Sequence, residues 1–253
     1  MVTVTETLSS SIQYLQAESL KNQELQVIFD PQARAEYLDL QLSIDGLSHI
    51  KENPEAAYCF ISLTNTPSSL KRIVQERQQL LIKILNNAGL TAYDPATAPY
   101  SPDTNLTSNP DEVYLVDSSK IAGSRYFVGH NLLPSSGQGI EEEKAKNLIR
   151  IPVVLMDRNI RVSRMQPSRS IYLEYFDFQA QRNEFVKVFK FLRQFEPGVG
   201  FHRGISVLLG FSKDGAIVNL QDAVYEQFPD LRYTYDGTKP TSQLEIQNPE
   251  IFG

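Results

Sequence analysis

The feature that most constrains this chain is an alternation of apolar runs and amphipathic stretches between residues 56 and 178. Residues 57–63 form a short apolar run suited to a buried strand. Pro67, Ser68 and Ser69 then open a helix with Leu70, Ile73, Val74, Leu80, Leu81, Ile84 and Leu85 on one face. Asn87 and Gly89, which tolerate left-handed backbone, stop it. Residues 90–93 read as a second strand, ending at Asp94 and Pro95. A helix over 111–122, a strand over 125–130, a helix over 141–150 and strands over 151–156 and 171–176 complete the series. Strands that alternate with helices predict a mostly parallel sheet covered on both faces. The expected class is therefore α/β, a flavodoxin/Rossmann-like three-layer sandwich with a five-stranded, mostly parallel sheet. Ligands in such sheets bind at the carboxyl ends of the strands. That edge gathers Ser62, Asp94, the 130–136 loop and Glu141.

Extensions flank this core. Residues 1–55 contain two strand-like runs, 25–29 and 37–42, around the turn signal Asp30-Pro31, which predicts a hairpin. A polar stretch over 51–55 marks the boundary with the core of 56–178. The 95–110 stretch, rich in Pro, Ser, Thr and Asn, is long for a structureless connection and is expected to be a lid or binding loop. Residues 179–253 read as a helical extension for packing or oligomer contacts. Phe185, Val186, Val188, Phe189 and Leu192 lie on a helix, 198–204 form a glycine-rich loop, and the polar end from 233 is irregular.

A net charge of −6 and a pI near 5.2, without basic clusters among aromatics, argue against a nucleic-acid binder. No apolar run approaches the ~18 residues that span a bilayer, and the N-terminus lacks a signal-peptide pattern. The single cysteine, Cys59, excludes an intrachain disulfide and reads as buried and inert. His49, His130 and His202 are scattered without metal-ligand spacing. A cytoplasmic protein without metal or cofactor is expected.

The segment Pro134-Ser135-Ser136-Gly137-Gln138-Gly139-Ile140-Glu141 carries the chemistry. Gly137 and Gly139 permit tight turns and close approach by a ligand, and the helix start offers free N–H groups. Glu141 then stands where a carboxylate could attack a sugar held by the loop. Residues three and four apart share a helical face, which separates three consecutive acids. Glu141 shares its stripe with Ala145 and Leu148, which should face the sheet. Glu142 pairs with Lys146, and Glu143 aligns with Asn147 and Arg150, both as solvated surface. The segment suggests glycosyl chemistry on a nucleoside or nucleotide.

These residues resemble the nucleoside 2-deoxyribosyltransferase superfamily, and locally its 2′-deoxynucleoside 5′-monophosphate N-glycosidase branch. Pro134 to Glu141 matches that branch's Pro-Ser-x-Gly-x-Gly-x-Glu pattern at every fixed position, and Ala145 matches the alanine that follows. Tyr58 to Ser62 is similar to a strand that begins with Tyr and ends in Gly-Ser, with Ile61 in place of the glycine. Asp117, followed by Ile121, resembles the aspartate that opens the helix before the third strand. The resemblance implies that Glu141 is the nucleophile at the anomeric carbon and that Tyr58 orients it. It implies that Ser62 and Ser135 bind a 5′-phosphate, with Asp94, Asp117, Gly137 and Gly139 around the substrate. The expected partner is a nucleoside or nucleoside 5′-monophosphate, bound by a homodimer or higher homo-oligomer. Thr64 and Asn65, and Arg125 and Tyr126, depart from the family pattern. Ser163, Arg164 and Met165 match a segment that reaches a neighbouring subunit's site.

Three other readings compete. A dinucleotide fingerprint fails because its sixth position is Glu142 and the motif follows the third core strand. An NAD⁺ or cyclic-nucleotide glycohydrolase could use the same carboxylate. A catalytically silent nucleotide-binding sensor would use none.

Overall fold

Residues 31–62, 66–99, 101, 109–133, 135–160, 169–202 and 205–240 are described by a computed structural model. Strands β1 (Asn53–Phe60), β2 (Thr91–Tyr93), β3 (Ser124–His130), β4 (Ile151–Asp157) and β5 (Ile171–Tyr175) form one sheet in the order β2-β1-β3-β4-β5. All four pairings are parallel, as the alternating pattern predicts. Every residue of β3 and β4 is buried, because central parallel strands are covered on both faces. Helices α1 (Pro31–Ile44), α2 (Ser68–Asn87), α3 (Pro110–Gly123), α4 (Ser136–Asn147) and α5 (Arg182–Leu192) supply that cover.

Side chains alternate between the two faces with the strand period of two. Ala57, Cys59, Tyr126, Val128, Val153 and Leu155 pack against α2 and α5 through Leu81, Leu85, Phe185 and Phe189. Tyr58, Phe60, Phe127, Val154 and Met156 point the other way, toward Leu42 of α1, Ile121 of α3 and Ala145 of α4. The strand order reverses between β1 and β3, the topological switch point where such sheets open a ligand crevice. Gly129 sits there of necessity: a Cβ would stand 2.4 Å from the carbonyl oxygen of Phe60.

The expected hairpin is not present. Residues 37–42 lie within α1, while 25–29 fall outside the described residues. Leucines at every second position imitate a strand. However, the partly or fully buried positions Arg34, Tyr37, Leu38, Gln41 and Leu42 follow helical spacing, and Leu40 is exposed. β1 begins at Asn53, so the polar boundary stretch is partly strand.

The C-terminal extension is not only helical. β6 (Phe195–His202), β7 (Ile205–Ser212) and β8 (Ile217–Asn219) form an antiparallel sheet, followed by α6 (Leu220–Gln227). The expected loop over 198–204 is largely strand. Gly198 and Gly200 are packing residues: a Cβ on Gly198 would meet the Phe211 ring at 2.1 Å, and one on Gly200 would meet Leu209 at 2.9 Å. The extension also covers the sheet edge. Arg232 bridges to Leu173 of β5, the Tyr225 hydroxyl donates to the Tyr172 carbonyl at 2.7 Å, and Lys239 pairs with Glu174 at 2.9 Å.

Candidate active site

Tyr58 lies in β1 on the α3/α4 face and is fully buried. Its ring stacks on Phe127 at 5.7 Å and leans on Tyr93 at 5.6 Å. Glu141 occupies the second turn of α4, and Asp117 sits midway along the neighbouring α3, not at its opening. The three side chains interact. Burial raises the Glu141 carboxyl first, the Asp117 charge raises it further, and the Tyr58 hydroxyl acts in the opposite sense, leaving it pushed up to about 8. Burial and both carboxyls keep the Tyr58 phenol protonated. Its buried hydroxyl lies within reach of both acids.

The facial assignment of the three acids is correct for Glu141 and incomplete for the others. Ala145 and Leu148 are buried on the Glu141 stripe. Glu142 is not solvated surface: it pairs with the buried Lys146 at 2.8 Å and accepts from Ser170 Oγ at 2.8 Å. Glu143 is exposed and pairs with Arg169. Ile149 turns left-handed at φ 54° and ends the helical stripe. Arg150 therefore swings into an ion pair with Glu52 at the amino edge.

Ser62, Asp94 and Ser135 each follow the carboxyl end of a strand, β1, β2 and β3. Ser62 Oγ donates to the Leu133 carbonyl at 3.5 Å, which ties the end of β1 to the loop after β3. Asp94 Oδ1 accepts from Gln78 Nε2 and from the Ala96 backbone N–H, both at 3.1 Å. Ser135 is the N-cap of α4, where its oxygen accepts from the Gln138 N–H at 3.4 Å. Gly137 and Gly139 do not form a turn. Both lie in the first turn of α4, which begins five residues earlier than the acidic run suggests. Neither has positive φ. A Cβ on Gly139 would meet nothing within 4 Å, and one on Gly137 only Ser135 Oγ at 3.8 Å. Pro134, Thr64, Asn65, the 163–165 segment and half of the 95–110 loop lie outside the described residues. Arg125 sits at the opposite edge, bound to Glu52 at 2.7 Å and Glu196 at 2.9 Å.

Sequence reasoning did not single out Gln78, Arg77, His130, Asp157 or Tyr175 as a group. His130, Asp157 and Tyr175 each end a strand at the carboxyl edge, and that position was the available signal. Among the described residues, no cluster of His, Cys, Asp or Glu could hold a metal ion, and no helix is long and apolar enough to cross a membrane.

The fold and its carboxyl-edge cluster define an α/β protein of flavodoxin-like strand order in which two carboxyls and a buried phenol interact beside the switch-point strands. No protein-family model matches the sequence, and no curated protein matches it. Among solved structures the chain is similar to the CMP N-glycosidase BcmB of Clostridium botulinum. The identity is 17% and the TM-score 0.37, over 52% of this chain and 94% of that one.

Proposed function

We propose that this protein cleaves the N-glycosidic bond of a nucleoside or nucleotide, with Glu141 as nucleophile. The observation that carries the proposal is the meeting of Glu141, Asp117 and the Tyr58 hydroxyl on one face of the sheet, at the switch-point strand β1. A carboxyl raised to about 8 by burial and a second acid is a strongly perturbed group, a physical mark of functional sites. In its ionised form Glu141 attacks the anomeric carbon. The new C–O bond forms as the C–N bond breaks, and the bonding electrons leave with the base. Asp117 is the neighbouring group through which a proton could pass to that base. Water then resolves the glycosyl-enzyme ester. Tyr58 donates to whichever carboxylate carries the charge.

Ser62, Asp94 and Ser135 would hold the sugar and its 5′ end. The bare first turn of α4 at Gly137 and Gly139 would let a phosphate approach the helix N-terminus. Incubation with nucleosides, nucleoside 5′-monophosphates and NAD⁺, with free base as the readout, tests the reaction and its substrate class. Release from monophosphates, with Ser135→Ala raising KM for them and sparing nucleosides, is the expected result. Equal losses on both substrates would remove the phosphate assignment, and no base from any substrate would remove the reaction.

A further inference from the structure

A second polar chain lies on the opposite face of the sheet, at the same carboxyl edge. Asp157, the last residue of β4, pairs with Arg77 of α2 at 2.9 Å. Arg77 also donates to the Tyr175 hydroxyl, which lies 3.2 Å from Nδ1 of His130. The His130 ring is held edge-on by Phe178 at 4.4 Å and by Tyr175 at 5.5 Å.

A guanidinium only donates, so the Tyr175 oxygen accepts from Arg77 and its own proton is free to go to Nδ1 of His130. With Nδ1 as the acceptor, the proton of the neutral imidazole sits on Nε2. Burial, and then the Arg77 charge, hold the ring well below the usual histidine range and therefore neutral. Nε2 is buried and has no hydrogen-bond partner among the described residues.

His130, Gln78 and Ser62 line a cavity of about 10 Å³, with apolar walls from Phe60, Val74 and Leu132. A space near that size accommodates one water when two or more polar groups face it. Gln78 spends its amide protons on the Cys59 carbonyl at 3.0 Å and Asp94 Oδ1 at 3.1 Å, which leaves its carbonyl oxygen to accept. Ser62 makes only a long bond to Leu133. One wall therefore offers a donor, another an acceptor, and a third a hydroxyl.

We propose that this cavity is a single-water site linking the Asp157–Arg77–Tyr175–His130 chain to Gln78 and Ser62, which makes His130 a positioning residue for Ser62 and Asp94. Gln78 passes the constraint to Asp94 through its amide, and the water passes it to Ser62. The importance of Ser62 and Asp94 to a substrate rests on the function proposed above. The tautomer and the water do not.

Imidazole ¹⁵N NMR of the full chain, with water-to-imidazole cross-peaks, reads the site without turnover. The expected result is His130 as the Nε2–H tautomer in contact with a long-lived water. An Nδ1–H tautomer, or an Nε2–H with no water cross-peak, overturns the site. His130→Phe removes the donor, and His130→Gln restores an N–H. The Ser62 and Gln78 resonances should move in the first variant and return toward wild type in the second, which needs no substrate. With a nucleotide that the wild type cleaves, His130→Phe should raise KM about tenfold and leave kcat within about twofold. Unmoved Ser62 and Gln78 resonances, or a fall in kcat at constant KM, would overturn the positioning role. A protein that cleaves nothing would leave the NMR results standing.

Discussion

Glu141 and Glu142 are adjacent in sequence, yet their carboxyls meet opposite surroundings. Glu141 faces a second acid and a phenol, whereas Glu142 faces the ammonium of Lys146 and the hydroxyl of Ser170. The free protein's kcat/KM should therefore rise with pH to a plateau above about 8, as the Glu141 carboxyl ionises. Asp117→Asn removes a charge that raises this carboxyl, so the rising limb should move to lower pH. Tyr58→Phe removes the hydroxyl that lowers it, so the limb should move higher. A pH–rate series on the three proteins checks both signs. The same raised pKa links to stability. The folded state binds the Glu141 proton more tightly than the unfolded state, so this contribution is whole below the ordinary carboxylate range and is lost as pH rises through about 8. Glu141→Gln should thus gain thermal stability over wild type as pH rises from about 5 to about 8.5, by roughly 2–4 °C for each kcal/mol. Glu142→Gln should do the reverse: it strands the buried Lys146 and should lower Tm while leaving the chemistry in place.

At the scale of elements, the start of α4 separates structural from functional need. Ser135→Ala removes an N-cap and should cost about 1 kcal/mol, which Ser135→Asn should largely spare. The two glycines behave differently. Neither has positive φ and both have room for a Cβ, so alanine at Gly139 should stabilise the helix by about 1 kcal/mol. If the bare turn serves a ligand, Gly139→Ala will nevertheless bind or turn over substrate worse. Thermal melts beside activity assays separate these outcomes. The core strands were legible because burial on both faces makes them continuous apolar runs. α1 was not, since Leu38, Leu40 and Leu42 satisfy both periods and only packing shows that Leu40 is exposed. β6 was hidden by glycines that resemble a loop and instead admit the side chains of Phe211 and Leu209. For the site, the motif pointed to Glu141 and the family resemblance to Tyr58 and Asp117, and these three side chains interact. The His130 chain was illegible because its members, at 77, 130, 157 and 175, belong to four elements joined only by tertiary packing.

Across the whole molecule, the extensions are tied to the sheet along β5 and at its amino edge. Glu52 binds Arg125 and Arg150, Glu196 of β6 binds Arg125, and Arg193 binds Glu55. Glu52→Gln would leave the nearly buried Arg150 without its carboxylate and should destabilise the fold by about 3–5 kcal/mol, measurable by denaturant unfolding. The amino edge thus carries stability, and the carboxyl edge carries the groups suited to chemistry. The proposed chemistry rests on one carboxyl at that second edge, Glu141. Its most direct test compares the rate of base release by Glu141→Gln, Glu142→Gln and wild type on the best substrate from the panel. A loss of ~10³-fold or more is expected for Glu141→Gln, and a near wild-type rate for folded Glu142→Gln. Base release by Glu141→Gln at the wild-type rate would contradict it.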